Sequence, residues 1–532
     1  ASAISIEEKA NYLKLSEFMK ATQEAQYKNP DSRILICDNS GYKILGEYAI
    51  DSAGVLTGDK ERFYKQFWEI ILDEDWEYMQ TTVPTTTLYG GRKLVIFWQK
   101  GQGELYKLAE SVKNTNNAVQ NWRRGQEVWD KKGIAVSLMG QLAATLYDGV
   151  HFDCNVAVVI PNGEDLLSAI WCFCSSDEFS KELRVLDQSI KITNSTLVKV
   201  PFDAIYWKEV AAEKYPNGLP KPCSNDATQW LFHGHPVHCE LPLQVAVARL
   251  LGYQWPAELD KRIELADEAR DLMDICEKMQ TYIDKDGIVC IPSVRGEATA
   301  AERLLNLLAV VYKGQDINKK LSELLANSDH AGKSLESWLR DKFFTQHCKL
   351  FEHRPFIWHI WDGLSDGFGA LVNYHKLDRK NLETLIYTYL GDWINKQKAE
   401  IASGVDGAQE KLAAAENLKK NLELILQGEA PYDIFVRWKP IHAQSIGWEP
   451  DINDGVRLNI RPFMSVPDVG KKGAGVLRDK PNIKWDKDRG KDIESSPWFK
   501  EFNGDRINDW HLTLEEKKRA RDEKRLGDNE GN

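Results

Sequence analysis

Short apolar segments bounded by turn-forming residues run through the first 205 residues of the chain, and they constrain its fold more than any other feature. Arg33–Cys37, Lys93–Phe97 and Val156–Ile160 have the length and composition of buried strands. Asp38–Gly41, directly after the first of them, has the composition of a turn. Ile190–Val200 alternates apolar and polar residues, which also predicts a strand. Since helical patterns lie between these segments, we expect residues 30–205 to be mixed α/β.

Helical periodicity dominates from about residue 240 to residue 430. Along the whole chain, helices are predicted at Ser5–Ala25, Leu166–Cys174, Ser180–Leu186, Leu243–Leu251, Ala257–Tyr282, Thr299–Tyr312, Leu382–Lys398, Ala399–Leu426 and Thr513–Arg525. Ala257–Tyr282 is rich in opposite charges four residues apart, Ala399–Leu426 is predicted to be a hairpin of helices broken near residues 404–407, and Thr513–Arg525 is a charged helix. The chain is therefore predicted to be α+β. We divide it into a helical lead-in, an α/β domain, a mainly helical domain and an irregular, locally basic extension, with boundaries at 1–30, 31–240, 241–430 and 431–532.

Charge and cysteine content limit the classes of protein to which the chain can belong. Its net charge is −11, from 69 basic and 80 acidic residues, which argues against nonspecific nucleic-acid binding by the whole surface. One stretch departs from this balance, because residues 470–492 carry eight Lys or Arg against four Asp. Nine irregularly spaced cysteines do not form a disulfide pattern, so we expect a reducing cytoplasmic location. No apolar run is long enough for a membrane helix, and no membrane association is expected.

A search for catalytic motifs finds no complete enzyme site. Gly-x-Ser-x-Gly, the phosphate-binding loop, His-Glu-x-x-His and the S-adenosylmethionine glycine loop are all missing from the sequence. Asn29-Pro30 is followed by Asp-Ser and does not match the Asn-Pro-Pro-Tyr motif of amino-methyltransferases. Whether this chain is an enzyme by itself therefore stays open, and no catalytic or cofactor-binding residue is assigned.

His233, His235, His238 and Cys239 place four potential metal ligands within seven residues. Zinc sites usually pair two such ligands with two from elsewhere in the sequence. Gly234 and the Pro that follows the second His favour a tight structural loop instead. We therefore assign no metal site.

Three polar stretches contain the residue types that contact nucleic acids. Arg123 and Arg124 follow a Trp, and Arg next to an aromatic ring can contact phosphate and base together. Residues 57–60 with Arg62 form a polar loop at a helix start, where backbone amides suit phosphate. Residues 191–194, Lys-Ile-Thr-Asn, form a polar turn. For each stretch, the alternative is an ordinary solvated surface.

One sequence motif resembles a motif of a known protein family. Gly54-Val-Leu-Thr-Gly58-Asp59-Lys60-Glu-Arg62-Phe63, followed by Phe67-Trp68-Glu69, is similar to the entry of the target-recognition region in large adenine-specific DNA methyltransferases. These are single-chain, type IIG-like enzymes, including those of the BREX and DISARM phage-defence systems.

The resemblance continues along nearly the whole chain. It includes Tyr89–Arg92, Trp98, Phe152–Pro161, Trp171–Ser176, Phe179, Asp187-Gln188, Thr193–Asp203, Trp230–Pro236, Leu243–Gly252, His353–Asp362, Leu371–Lys376, Tyr387–Trp393, Gly447–Asp451, Asp454–Phe463 and Pro481–Trp485. The family's N-terminal half, with its methyl-donor loop and Asn-Pro-Pro-Tyr-type motif, has no counterpart in this sequence. We expect that half to belong to the same polypeptide or to a separate subunit.

The resemblance implies S-adenosylmethionine-dependent N6-adenine methylation by the family, with S-adenosylmethionine held by the absent half. This chain would be the target-recognition half, which clamps duplex DNA and reads its bases. Flipping a base out of the duplex costs a few kcal/mol, so a second lobe must grip the duplex and neutralise phosphates. The residues predicted to face DNA are Lys60, Arg62, Arg92, Arg123, Arg124, Lys191, Thr193 and Asn194.

Two other functions compete with this interpretation. An interaction scaffold would use the helical region 240–430 to bind other phage-defence proteins, with little DNA reading. An independent nuclease is disfavoured, because no convincing pair of carboxylates with a lysine is found. The aromatic block 351–374 is predicted to be core, and its His353, His359 and the nearby His375 are predicted to be hydrogen-bonded structural residues. The expected partners are double-stranded DNA, a methyltransferase catalytic half and other phage-defence proteins.

Overall fold

A computed structural model of the protein describes most of the chain, and its fold is α+β. The described residues are 5–15, 22–27, 43–114, 119–468, 475–483 and 510–530. They form two compact units. Unit 1 comprises the described residues within Ala1–Val55, Gln80–Leu88 and Arg124–Leu219. Unit 2 comprises those within Leu56–Met79, Tyr89–Arg123 and Pro220–Asn532. The four-part division drawn from the sequence stays a prediction.

Unit 1 contains an antiparallel sheet with a buried centre. Its strands lie in the order Ala49–Ala53, Val156–Pro161, Gly133–Ser137 and Ala144–Tyr147. The predicted strand at 156–160 is confirmed, and its residues 156–159 are at most 1% exposed. Four of its six residues are Val or Ile, which pack well on a pleated surface.

The helices of unit 1 are Ile6–Leu15, Gln23–Tyr27, Leu167–Cys174, Asp177–Leu186 and Ala204–Lys214. Leu167–Cys174 is apolar on most sides, and residues 169–174 are buried. Its Phe173 ring contacts the rings of Phe179, Phe202 and Trp207 at centroid distances of 5.2–5.3 Å. These aromatic contacts join the helix Leu167–Cys174 to the helices Asp177–Leu186 and Ala204–Lys214.

One strand predicted in unit 1 is wrong. Residues 190–200 form a single bridge, from Lys191 to Met139, followed by the 3-10 helix Asn194–Lys199. The segment 193–196 is Thr-Asn-Ser-Thr, whose side chains compete locally for backbone hydrogen bonds and favour turns over a ladder. The predicted strand Arg33–Cys37 and the turn Asp38–Gly41 lie outside the described residues.

Unit 2 contains two sets of antiparallel strands. Leu94–Phe97, which confirms the strand predicted at 93–97, pairs with Tyr64–Gln66 and with Trp76–Gln80. In a separate sheet, Gly369–Asn373 lies between Ile357–Trp361 and Ile288–Cys290. Every residue of these last three strands is buried.

Helices form the larger part of the regular secondary structure of unit 2. Its α-helices are Lys60–Phe63, Glu104–Ser111, Pro242–Leu250, Pro256–Leu259, Asp267–Cys276, Ala300–Val311, Ile317–Asn327, Leu335–Asp341, Phe343–Leu350, Arg379–Glu383, Leu390–Ala402, Ala408–Gln427, Val456–Asn459, Arg461–Ser465 and Leu514–Glu530. A π-helical turn, Thr384–Tyr389, joins two of them. The predicted helices at 243–251, 299–312 and 382–398, the helical hairpin at 399–426 and the C-terminal helix are confirmed.

The long helix predicted at Ala257–Tyr282 is wrong, because the chain leaves the helix after Leu259. Asp260 accepts hydrogen bonds from the backbone and the side chain of Arg262, and these local bonds close a turn. The backbone of Ala266 then donates to the carbonyl of Pro222, 2.7 Å away. Helix resumes at Asp267–Cys276 and ends in the 3-10 helix Glu277–Tyr282. Opposite charges at helical spacing did not outweigh these bonds.

The aromatic block 351–374 is core, as predicted. The Trp358 and Tyr374 rings stack at 5.2 Å, and both residues are 0% exposed. His353 accepts a hydrogen bond from the backbone of Asn482, and His375 Nε2 lies 3.2 Å from a backbone carbonyl oxygen. His359 is also buried, but its Nδ1 has no hydrogen-bond partner among the described residues, which corrects the prediction for this residue.

Only residues 475–483 of the basic stretch 470–492 fall within the described residues. None of the described helices is both long enough and apolar enough to cross a lipid bilayer.

Candidate functional site

Unit 1 contains an open cleft of about 530 Å³, within the size range of ligand-binding sites. We call it the hydroxyl cleft, because three serines line it. The polar side chains that line it are Thr86, Gln141, Ser175, Ser176, Asp177, Ser180, Lys181 and Arg184. It therefore combines hydroxyl, amide and cationic groups with one carboxylate.

The serines lie at the junction of two helices, where the sequence requires a cap. Ser176 is the N-cap of the helix Asp177–Leu186, and its Oγ accepts a hydrogen bond from the backbone of Phe179. The hydroxyls of Ser175, Ser176 and Ser180 each donate to a backbone carbonyl three residues earlier, at 2.7–3.2 Å. Since a hydroxyl also accepts hydrogen bonds, these oxygens can accept from a ligand in the cleft.

Arg184 joins two loops at the edge of the cleft. Its two terminal nitrogens donate to the backbone carbonyls of Ser189, at 2.6 Å, and Gly140, at 3.1 Å. Gly140 has a φ of +68°, a backbone conformation that side chains disfavour, so the turn depends on glycine. By contrast, Lys181 has no hydrogen bond or ion pair to any described residue. Arg184 therefore shapes the cleft, and Lys181 supplies an available positive charge.

The loop 187–194 is organised by the carboxylate of Asp187. This carboxylate accepts from the side chain and backbone of Ser189 and, at 3.0 Å, from the backbone of Thr193. These hydrogen bonds, led by that of the Ser189 side chain, lower the pKa of Asp187. Ile190 lies within the loop with 81% of its surface exposed. The loop thus holds an apolar side chain in solvent.

The structure brings three of the predicted residues together in this loop. Lys191 is exposed, and its Nζ donates to the carbonyl of Cys154, at 2.9 Å, and to Asn155 Oδ1, at 3.2 Å. Thr193 is exposed, whereas Asn194 is half-buried and donates to Asp51, at 2.8 Å. Lys191 and Asn194 therefore already have protein partners. Contact of these side chains with DNA stays a prediction.

The remaining prediction in unit 1, Arg124, is exposed and has no hydrogen bond or ion pair to any described residue. Its neighbour Arg123 belongs to unit 2. Arg123 is exposed, lies over the Trp122 ring at 4.3 Å and donates to the carbonyl of Gly101, at 3.0 Å. The predicted Arg–Trp pair therefore forms for Arg123.

The other predicted residues of unit 2 differ in their surroundings. Lys60 is exposed at the start of a four-residue helix. Arg62 is ion-paired to Glu104, at 2.8 Å, and lies over the Phe63 ring at 4.9 Å. Asp59, which caps this helix, pairs with Arg437. The loop that resembles the methyltransferase motif is therefore bound to its own unit by ion pairs.

Arg92 is 0% exposed, unlike the other predicted cations. Its guanidinium lies 5.1 Å from the Tyr89 ring centroid and 5.2 Å from that of Trp230. Its backbone donates to the side chain of Gln229 and accepts from the backbone of Trp230. In this conformation, Arg92 has no surface available to DNA, because it packs within unit 2.

The His-rich loop is built into the core of unit 2. His233 and His235 are 0% and 3% exposed, and burial lowers the pKa of each to about 4. Each ring accepts a backbone hydrogen bond through Nδ1, at 3.0 Å. Between them, Gly234 has a φ of +73°, and a Cβ there would collide with Arg249 and Glu258. No group of three or more His, Cys, Asp or Glu in the described part of the chain is arranged to hold a metal ion.

Sequence reasoning missed the cations and hydroxyls of the cleft itself. Lys181, Arg184 and the three serines did not appear among the predicted DNA-facing residues. The available signal was Ser175-Ser176-Asp177, a helix-capping pattern directly after an apolar helix. It marks a helix start but does not reveal that Gln141 and Thr86 line the same cleft.

Comparison with known proteins finds one distant relationship. Over 195 residues, the chain is 21% identical to the adenine-specific methyltransferase PglX of Lacticaseibacillus casei (strain Zhang). The match covers 34% of this chain and 16% of the relative, so the chain spans only a small part of that protein's length. No family model matches the chain. The similarity supports a distant relationship to an adenine-specific methyltransferase.

Proposed function

We propose that this chain is the DNA-recognition part of an S-adenosylmethionine-dependent N6-adenine DNA methyltransferase in a restriction-modification or phage-defence system. In this role it clamps duplex DNA and reads its target sequence. The observation that carries the proposal is the distant similarity to an adenine-specific methyltransferase. The hydroxyl cleft of unit 1 supplies a surface with suitable chemistry.

The side chains of the cleft match the groups that duplex DNA exposes. Lys181 can neutralise a phosphate, and serine hydroxyls and backbone amides commonly contact phosphate oxygens. Gln141 can bind adenine through its amide, and Asp177 can accept from a cytosine amino group. The same carboxylate repels phosphates, so the proposal places base edges near Asp177 and the backbone near Lys181.

The neighbouring loop adds an apolar contact. Ile190 is 81% exposed, and the bonds made by Asp187 and Arg184 keep its loop in place. Exposed apolar side chains of DNA-binding proteins pack on thymine methyl groups or insert between base steps. A fixed loop loses little conformational freedom on binding, which favours affinity.

The methyl transfer itself belongs to a catalytic part that holds S-adenosylmethionine, either in the same polypeptide or in a separate subunit. Extruding an adenine from the duplex costs a few kcal/mol, which contacts on the rest of the duplex must offset. In the proposal, this chain supplies those contacts. Other phage-defence proteins are further proposed partners of the assembled enzyme.

The test is DNA binding by the full chain, measured by fluorescence anisotropy over a salt series. Lys181→Ala should weaken binding about two- to fivefold and lower the slope of log affinity against log salt by about one. Lys214→Ala is the matched control, because Lys214 is also an exposed lysine of unit 1 but does not line the cleft. Equal effects of the two variants on DNA affinity would argue against DNA binding in the hydroxyl cleft.

Sequence reading requires a second measurement. A pool of random duplexes is incubated with the full chain, and the retained DNA is sequenced. Enrichment of one short motif supports target recognition. Retention of DNA without enrichment of a motif would contradict independent sequence reading by this chain. The proposal that the chain clamps duplex DNA would still stand. Absence of binding at low salt, by the chain alone and together with a methyltransferase catalytic part, would overturn the proposal and favour the scaffold.

A further inference from the structure

Unit 2 contains a small, partly enclosed cavity of about 130 Å³ that is separate from the hydroxyl cleft. One wall is the buried sheet, which contributes His359 and Trp361 from neighbouring positions of one strand face. Phe368 also lines the cavity, and the helix Leu335–Asp341 contributes Glu336 and Arg340. The lining therefore combines aromatic rings with an imidazole, a guanidinium and carboxylates.

His359 is a polar group in this interior without a partner. It is 1% exposed, and its Nδ1 has no hydrogen bond within the described chain. Its Nε2 would lie 3.1 Å from a Cβ added at Gly369, which also lines the cavity, so the absent side chain leaves room beside this nitrogen. Burial lowers the pKa of His359 to about 3, so the ring is neutral near pH 7. A neutral imidazole offers one donor and one acceptor.

The free space at Gly369 lies beside Nε2, so a ligand in the cavity would hydrogen-bond to that nitrogen.

Trp361 gives the cavity a rigid flat surface. Its Nε1 donates to the carbonyl of Leu477, at 3.0 Å, and the Arg478 guanidinium lies 4.0 Å from its ring centroid. Both contacts fix the orientation of the indole. A cavity of about 150 Å³ accepts benzene in another protein, and this cavity, at about 130 Å³, is close to that size. The combination of flat wall, volume and imidazole favours a planar heteroaromatic ring.

The charges at the cavity select against anions. Glu336 has no hydrogen bond or ion pair to any described residue, while Asp366 is paired with Lys411 at 2.8 Å. Arg340 is already paired with the neighbouring Asp341, at 2.9 Å. The Glu336 carboxylate would repel a phosphate. It could instead accept a hydrogen bond from an N–H group on a neutral ring.

The geometry points to a binding site for one uncharged nucleobase, which enters with its six-membered ring beside Trp361 and hydrogen-bonds to His359. The base belongs to a free nucleoside or is a single base extended from a strand; the chemistry of the ring is the same in both. The inference does not depend on DNA recognition by the hydroxyl cleft.

The experiment is calorimetric titration of the full chain with adenosine, guanosine, cytidine and uridine. At least one nucleoside should bind, and His359→Phe should weaken its binding by about tenfold or more, since it keeps a ring but removes both nitrogens. The matched control is His375→Phe, because His375 is another partly enclosed histidine of unit 2 with a low pKa but does not line this cavity. Ser365→Trp, at an exposed lining residue, should narrow the mouth and also reduce binding.

Thermal unfolding of each variant separates loss of binding from loss of folding. Two further titrations identify the source of the base. Weaker binding of the 5′-monophosphate than of the nucleoside supports a free nucleoside, and tighter binding of a short single strand supports an extended base. No binding of any nucleoside or strand at about 1 mM would overturn the inference. So would binding that His359→Phe leaves unchanged, or binding of indole without any nucleoside.

Discussion

The guanidinium of Arg184 donates a hydrogen bond of 2.6 Å to the backbone carbonyl of Ser189. Its second terminal nitrogen donates to the carbonyl of Gly140, 3.1 Å away. One side chain on the helix Asp177–Leu186 therefore holds two loops that are separated by more than forty residues. The edge of the hydroxyl cleft depends on this arrangement.

Replacement of Arg184 should loosen the cleft without unfolding unit 1. Arg184→Ala removes both bonds, and we expect a loss of about 1–2 kcal/mol in unfolding free energy, since the side chain is half-exposed. Amide hydrogen exchange should accelerate at residues 188–191. Arg184→Lys, which cannot reproduce the planar pair of donors, should behave similarly. Unchanged exchange in both variants would contradict the structural role of this arginine.

Ile190 should contribute to DNA binding but not to stability. Ile190→Ala removes a side chain that is 81% exposed, so the unfolding free energy should change by less than about 0.5 kcal/mol. DNA affinity should fall about two- to fivefold, because an apolar contact is lost. The matched control is Ile205→Ala, since Ile205 is 75% exposed on a helix of the same unit. An equal loss of DNA affinity in both variants would argue against a contact between the loop 187–194 and DNA.

The ion pair of Arg249 and Glu258 should be essential for stability. Their charged atoms lie 2.7 Å apart, and the side chains are 1% and 7% exposed. Glu258→Ala leaves a buried positive charge unpaired, so we expect the free energy of unfolding, measured by chemical denaturation, to fall by about 3–5 kcal/mol. Glu383→Ala breaks an exposed pair with Arg379 and should cost less than about 1 kcal/mol. Similar losses of unfolding free energy in the two variants would show that burial does not determine how much each ion pair contributes to stability.

Asp286 should make stability depend on pH in mildly acidic solution. Burial, together with the neighbouring Asp284, raises the pKa of Asp286 from 3.8 to about 6. Between these values the folded state binds more protons than the unfolded state, so this group's stabilising contribution falls as pH rises from about 4 to about 6. In the original chain, the Tyr389 hydroxyl donates a hydrogen bond to the Asp286 carboxylate, at 2.9 Å. Asp286→Asn removes the titrating group, and the Asn side chain can still form a hydrogen bond with this hydroxyl.

The measurement for this prediction is the free energy of unfolding of the chain and of Asp286→Asn at several pH values. The variant should gain stability relative to the original chain as pH rises through this window. Parallel curves for the two proteins would contradict the raised pKa.

Local sequence patterns predicted the elements whose stabilising interactions lie close along the chain. The strand Val156–Pro161 consists mainly of Val and Ile, and the helix Ala300–Val311 begins with a capping box formed by Thr299 and Glu302. Such preferences act within a few residues, so a single sequence reveals them. The predicted strand 190–200 and helix 257–282 failed where a local turn, or a hydrogen bond to a distant carbonyl, outweighed the periodic pattern.

The candidate site shows the same limit. The sequence singled out Lys191, Thr193 and Asn194, and these do share one polar loop. It equally singled out Arg92, which is buried against Trp230. A residue's type does not reveal its exposure, because burial depends on segments far away in sequence.

The sequence by itself determined the α+β class, the positions of the strongly periodic helices and strands, and the resemblance to adenine-specific DNA methyltransferases. Only the tertiary structure decided which cations are available and which polar side chains face each other. Lys181 and Gln141 are forty residues apart, yet they line one cleft. His359 and Glu336 likewise meet at one cavity from a strand and a helix. Both arrangements depend on packing between distant segments, and no local propensity encodes it.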